Sequence, residues 1–284
     1  MVIKQIKNTV KKVILILLAV PLLTISQINY SVYFEHNGGA VNFTDGDYIQ
    51  LSNASINLSD DFTIMLDFKT EEDNNYWQPI FSNFHESNNT SAGLMLFIDF
   101  ENSTNFELKI YNSADADDPA ILISTQLNKG IFYNVVLNYN NGILTSYIDD
   151  EITYSGAVEI ISSEEDYFYL ATQYTSGGAT NFLSGNIDNF SYWNTALTSE
   201  EIAYHRYCPL DGNEDGLIGY WNFNDEQLID LAGNNNGDII GAEYSLNVPI
   251  YNCIQNNEEE STEASIIGDV NCDGDITIDD LQLL

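Results

Sequence analysis

Apolar residues recur at every second position through most of the chain, the pattern of β-strands with one face turned to a core. In residues 62–68, Phe62, Ile64, Leu66 and Phe68 fall on one face. Residues 94–100 put Leu94, Leu96, Ile98 and Phe100 together; Phe106, Leu108 and Ile110 repeat the alternation, with Glu107, Lys109 and Tyr111 facing away. The same reading predicts strands over 133–139, 143–148, 167–171, 187–193 and 217–223. Turns rich in Gly, Asn, Asp and Ser separate them, such as Asn140-Asn141-Gly142 and Ser176-Gly177-Gly178. Many short strands with hardly any helical period predict an all-β fold, a sandwich or jelly roll.

One helix interrupts the pattern. Thr198-Ser199-Glu200-Glu201 is a capping box, Leu197 and Ile202 supply its hydrophobic staple, and the helix is predicted from Ser199 to about Tyr207. It reads as a surface helix closing off the sandwich. Trp193 and Trp221 stand at core-facing positions of strands and read as packing residues.

The chain divides by composition. Residues 1–27 carry Lys4, Lys7, Lys11 and Lys12 before a short apolar run broken by Pro21, which is the form of a signal peptide. The run is short for a membrane span, so no stable membrane insertion is expected after cleavage, and the protein is expected to be secreted or held at a bacterial cell surface. Residues 28–207 read as the sandwich and 208–253 as an appended strand segment of it. Residues 254–265, with Glu258-Glu259-Glu260, read as an acidic linker, and 266–284 as a separate motif.

Charge narrows the partners. Eight basic residues stand against 43 acidic ones, a formal net charge of −35. Four of the eight lie in the leader, leaving Lys69, Lys109, Lys129 and Arg206 for the rest. Such a surface repels nucleic acid and anionic lipid. Of the three cysteines, Cys208 and Cys253 bracket one structured segment and are expected to pair after export, leaving Cys272 over.

Two places carry candidate binding chemistry. Tyr76-Trp77 lies in an Asp/Asn-rich loop, with His85, Asn88 and Asn89 in the next; exposed aromatic faces beside amides and carboxylates suit sugar rings and their hydroxyls. In the tail, Asp269, Asn271, Asp273, Asp275, Thr277 and Asp280 occupy positions one, three, five, seven, nine and twelve of a loop with Gly274 at six. Oxygen ligands at that spacing around a sharp glycine bend predict a Ca²⁺ site, position seven giving its backbone carbonyl. Catalytic residues are not found: there is no paired-carboxylate strand motif, no Gly-x-Ser-x-Gly and no His-Glu-x-x-His, and His36, His85 and His205 are far apart.

Several stretches resemble laminin-G-like, concanavalin A-like modules of secreted bacterial proteins. They are residues 41–49 and Asp61-Phe62-Thr63-Ile64 at the start, 182–190 and 193–202 at the close, and 216–223 with the Asn/Gly loop 230–237. The resemblance covers roughly residues 29–248. It implies a two-sheet antiparallel jelly-roll sandwich, often with a structural calcium, and a role in glycan binding or adhesion. The calcium it implies would use Asp188 of the closing strand, with Asp45 or Asp47 as partners. The tail loop, with Asp280 at position twelve and Leu281 after it, resembles a type I dockerin repeat. Dockerins carry two repeats and this chain stops within the first, so it is either a fragment or a half-dockerin. The leading expectation is a secreted, non-catalytic carbohydrate-binding or adhesion module with a calcium-binding tail, its partner a glycan or cell-surface polysaccharide. The alternatives are an assembly component docking a cohesin-like protein through the tail, and a polysaccharide-degrading glycoside hydrolase or an accessory subunit of one.

Overall fold

The structure is a computed structural model that describes residues 28–35, 46–52, 58, 60–71, 77–87, 90–100, 106–111, 120–160, 167–175, 177–251 and 253. The predicted signal peptide at 1–27, the predicted linker, Tyr76 and the loop at 269–280 expected to bind calcium lie outside the described residues.

Two large sheets stack face to face. The first holds β1 (Ser31–Phe34), β3 (Phe62–Thr70), β10 (Tyr133–Asn140), β11 (Ile143–Ile148), β12 (Glu151–Ala157), β16 (Gly185–Trp193), β17 (Leu217–Trp221) and β19 (Glu243–Ser245). Their order is β12-β11-β10-β3-β16-β1-β19, with β17 also pairing β16. The second holds β2 (Tyr48–Ser52), β4 (Gln78–Ser82), β7 (Met95–Asp99), β8 (Phe106–Tyr111), β9 (Ile121–Leu127), β13 (Tyr167–Leu170) and β18 (Gly237–Ile240). It runs β18-β2-β13-β4-β7-β8-β9. A small sheet adds β5 (His85–Ser87), β6 (Thr90–Ala92), β14 (Thr172–Thr175) and β15 (Gly178–Phe182). Among the described residues every pairing is antiparallel except β14 with β5. This is the predicted jelly-roll sandwich.

The alternation in the sequence sorts into the core as expected. Ile64, Leu66 and Phe68 of β3, Leu96 and Ile98 of β7, and Leu108 and Ile110 of β8 meet between the sheets with Phe168, Ile187, Phe190 and Trp221. What alternation does not reveal is that β3 is buried on its other face as well, along all nine residues. There Met65 joins Val136, Trp193, Leu197, Ile202, Leu217 and Tyr220 in a second apolar cluster beneath the helix α1 (Ser199–Tyr207). Thr63 seats the approach to that helix: its hydroxyl accepts from the Leu197 amide at 3.0 Å and donates to Thr195 O at 2.9 Å. Asn138 Nδ2 donates to Leu197 O. The capping box forms as the sequence predicts, the Glu201 amide donating to Thr198 Oγ1 and the Thr198 amide to Glu201 Oε2.

Strand β16 changes partners along its length. Its first half pairs β1 and its second half pairs β17, while β3 follows it on the other side. A bulge between Asp188 and Ser191 makes the change, with Asn189 at φ 48°, a left-handed conformation that short polar residues tolerate. At the start of the strand, Gly185 lies so near Lys69 O that a Cβ there would collide with the backbone.

The stretch after α1 feeds both sheets, through β17 and β19 in the first and β18 in the second. Cys208 and Cys253 are both disulfide-bonded. The loop before β18 is organised by one buried carboxylate: Asp230 accepts from the amides of Tyr220, Ala232 and Asn235 and from Asn235 Nδ2, at 2.8–3.0 Å. Those bonds explain the Asp/Asn/Gly run at 230–237, because only an acceptor can satisfy so many converging N–H groups. Asp230→Ala strands these donors and should cost about 3 kcal/mol, seen as a lowered urea midpoint with an unchanged slope; an unaltered midpoint would show that the loop is held by other contacts.

Candidate functional site

The outward face of the second sheet carries the one tryptophan with substantial exposure. Trp77, just before β4, is 42 % exposed, and its ring lies 4.8 Å from that of Phe97 on β7. Phe97 is fully buried and packs with Phe84 and Met95, so the support is rigid. Across the ladder Phe97 faces Lys109 of β8, and Asp99 faces Glu107. Lys109 Nζ bonds Asp99 Oδ2 at 2.7 Å and Glu107 Oε2 at 3.1 Å. Partial burial would lower the Lys109 pKa, but the two carboxylates outweigh it and carry it above its ordinary value. The result is an aromatic surface beside a fixed array of charged hydrogen-bonding groups.

A second aromatic group was not anticipated from the sequence. Tyr169 of β13 stacks on Tyr174 of β14 at 4.9 Å and 9°, and Tyr48 and Phe182 extend the group. The signal was present: in Tyr167-Phe168-Tyr169-Leu170 the two tyrosines alternate away from the core. His85 begins β5, parallel to β14 and opposite Tyr174; Asn88, Asn89 and Tyr76 lie outside the described residues.

The first sheet presents different chemistry on its outward face. Asp67 of β3 stands directly opposite Asp188 of β16. Asp67 accepts from Tyr251 Oη at 2.7 Å and from Asn134 Nδ2 at 3.1 Å. Asp188 Oδ1 accepts from the Asn189 amide at 2.8 Å, while its Oδ2 is buried with no hydrogen-bond partner, as is Asn134 Oδ1. Burial pushes the Asp67 carboxyl up to about 7, against the pull of the Tyr251 and Asn134 bonds. Burial and then the Asp67 charge push Asp188 well above the ordinary carboxylate range. Burial together with the two carboxylates raises Tyr251 likewise. Two like charges this close and this dry resist ionising together.

Two cavities adjoin this centre. One, of about 30 Å³, lies among Asp67, Asn134, Asn189, His205, Tyr220 and Tyr251. The His205 ring lies 4.9 Å from that of Trp193, tilted by 36°, and burial lowers its pKa. The other, about 380 Å³, opens between residues 248–251 and the end of α1. Asp188 lines neither of them.

Of the residues implied for a sandwich calcium, Asp188 stands on β16 opposite Asp67, Asp47 accepts from the Glu35 amide at 2.9 Å, and Asp45 lies outside the described residues. Among the described residues no group of three or more His, Cys, Asp or Glu side chains is placed to hold a metal ion. Nor is any helix among them long and apolar enough to cross a membrane.

A profile described as the concanavalin A-like lectin/glucanases superfamily matches residues 43–203. No curated protein sequence matches the chain significantly. Among solved structures, a Bacteroides ovatus protein described provisionally as carbohydrate-binding aligns with a TM-score of 0.59 at 16 % identity, over 79 % of this chain and 62 % of that one. The chain thus spans about three-fifths of that protein. The heptameric SAP-like pentraxin of Limulus polyphemus aligns with a TM-score of 0.50 at 13 % identity, over 76 % of this chain and 94 % of that one. At such identities the likeness is one of fold.

The carboxyl pair makes stability depend on pH. Because the folded pKa of Asp67 lies above the ordinary carboxylate value of 3.8, the folded state holds a proton that the unfolded chain has released. Stability from this group is therefore complete at acid pH and declines as pH rises from about 4 to about 7, by at most about 4 kcal/mol at ~1.4 kcal/mol per unit. Asp67→Asn keeps an acceptor for Tyr251 but cannot ionise, and should flatten the fall in Tm between pH 5 and pH 8. An identical fall in the variant and the parent protein would show that the pair does not set it.

Proposed function

As the chain belongs to the concanavalin A-like lectin/glucanases superfamily, we propose that it is a secreted, non-catalytic carbohydrate-binding module whose ligand lies across the sheet face carrying Trp77. The observation that carries this reading is the exposed Trp77 ring fixed on Phe97 beside the Asp99–Lys109–Glu107 cluster. A sugar ring presents an apolar face and a rim of hydroxyls; the indole takes the face, and the carboxylates and ammonium take the rim. Rigid support lowers the entropy lost on binding. The fold shared with the Bacteroides protein is in keeping with this reading.

A hydrolase is less well supported by the carboxyls that are present. Glycoside cleavage needs two acids flanking the bond; of the two that line the larger cavity, Asp149 is held by Arg206 and the Asn134 amide and Asp67 by Tyr251 and Asn134, and Asp188 does not reach it. The tail loop is proposed to bind one Ca²⁺ through Asp269, Asn271, Asp273, Asp275, Thr277 and Asp280, from its ligand spacing alone.

Two measurements test these readings. On glycan arrays and by calorimetry, Trp77→Ala should weaken binding about tenfold, the worth of one aromatic stack of ~1.5 kcal/mol, with Tm unchanged; a parent protein that binds no glycan would refute the module. Calcium titration of the full chain should show a site that disappears in Asp273→Ala, and its persistence would refute the loop assignment.

A further inference from the structure

The larger cavity, on the opposite side of the sandwich from Trp77, has the make-up of a ligand site. Its floor is Asp67 and Asn134, one wall is Phe132, and the other is Tyr207 with Arg206 at the end of α1. Asp149, from the turn between β11 and β12, closes a third side. Its volume of about 380 Å³ is that of small-ligand pockets.

The polar groups are held in place before any ligand arrives. Arg206 Nη2 pairs with Asp149 Oδ1 at 3.2 Å, and Nη1 with Asp150. Tyr207 Oη donates to Asp150 at 2.8 Å, and the Arg206 guanidinium lies over the Tyr207 ring. Asp149 Oδ1 also accepts from the Asn134 amide at 3.2 Å. Phe132 is steadied by Lys69 Nζ, 5.4 Å from its ring centre. At the floor, Asn134 Nδ2 donates to Asp67 at 3.1 Å.

Shape and charge together select the ligand. Aromatic walls with interleaved donors and acceptors suit a sugar ring. Arg206 is already neutralised by Asp149 and Asp150, so it offers no spare positive charge to a carboxylated sugar, and the whole chain, at −35, repels one. Resting on the carbohydrate-binding reading above, we propose that this cavity is a second glycan site, separate from Trp77, taking one or two residues of a neutral sugar chain. The ring packs on Phe132 or Tyr207, and the hydroxyls bond Asp149 and Arg206.

The test uses the full chain with neutral oligosaccharides (cello-, xylo-, manno- and galacto-series) and acidic ones (oligogalacturonate, sialyllactose), by calorimetry. The parent protein, Trp77→Ala, Phe132→Ala and Val248→Trp are compared, the last filling the cavity from its rim. Thermal unfolding verifies each fold, and if Phe132→Ala does not fold, Val248→Trp gives the reading. The expected result is neutral-sugar binding that each cavity variant weakens about tenfold and that Trp77→Ala does not abolish. Binding unaffected by both cavity variants, or binding wholly lost with Trp77→Ala, overturns the second site and leaves the module standing. Preference for acidic sugars in the cavity overturns the assigned ligand class. A parent protein that binds none of these sugars overturns both readings.

Discussion

Strand β3 is buried on both faces, and most of what distinguishes this molecule follows from that. A strand in the middle of a sandwich needs only one apolar face, since solvent can take the other. Here the outward face bears Thr63, Asp67 and Lys69, all buried, so each must find a partner within the protein. Thr63 takes Asn138 and the chain entering α1. Asp67 takes Asn134 and Tyr251, and Lys69 takes Glu71 and the face of Phe132. The helix and residues 248–251 are located by these polar anchors as much as by the apolar cluster around Met65 and Trp193.

The inward half of this arrangement is legible in the sequence and the outward half is not. Period-two alternation finds β3, β7, β8, β10, β11 and β16, because each keeps a continuous apolar face against the core. It cannot indicate that Thr63 and Asp67 are buried too, since Asp67 is covered by Tyr251, 184 residues away. Strand β12, mostly exposed and without alternation, gives no signal. Trp77 could be picked out by residue type, but its support by Phe97 depends on the pairing of β7 with β8 and on the start of β4. For Asp188 the resemblance implies calcium with Asp45 or Asp47; that the register of β16 on β3 sets it against Asp67 is not legible in the sequence.

Only four basic residues lie beyond residue 27, and three of them are used internally. Lys69, Lys109 and Arg206 have side chains only 6 %, 19 % and 11 % exposed, each in ion pairs. The acidic surface is therefore scarcely relieved by free positive charge at the sites described. Ion pairs so placed add modestly to stability; their larger effect is to fix the orientation of groups around an aromatic ring.

Helix α1 links the fold to the cavity at its end. Its start is fixed by the Thr198 capping box and the anchors to Thr63, and its end by the extended backbone of Cys208. With both ends fixed over nine residues, Arg206 and Tyr207 come to one definite place, where Asp149 and Asp150 meet them. The cavity wall is thus set by helix capping and strand register, not by any ligand. A site assembled in this way has little ordering entropy left to lose, so even a few hydroxyl contacts can register as affinity.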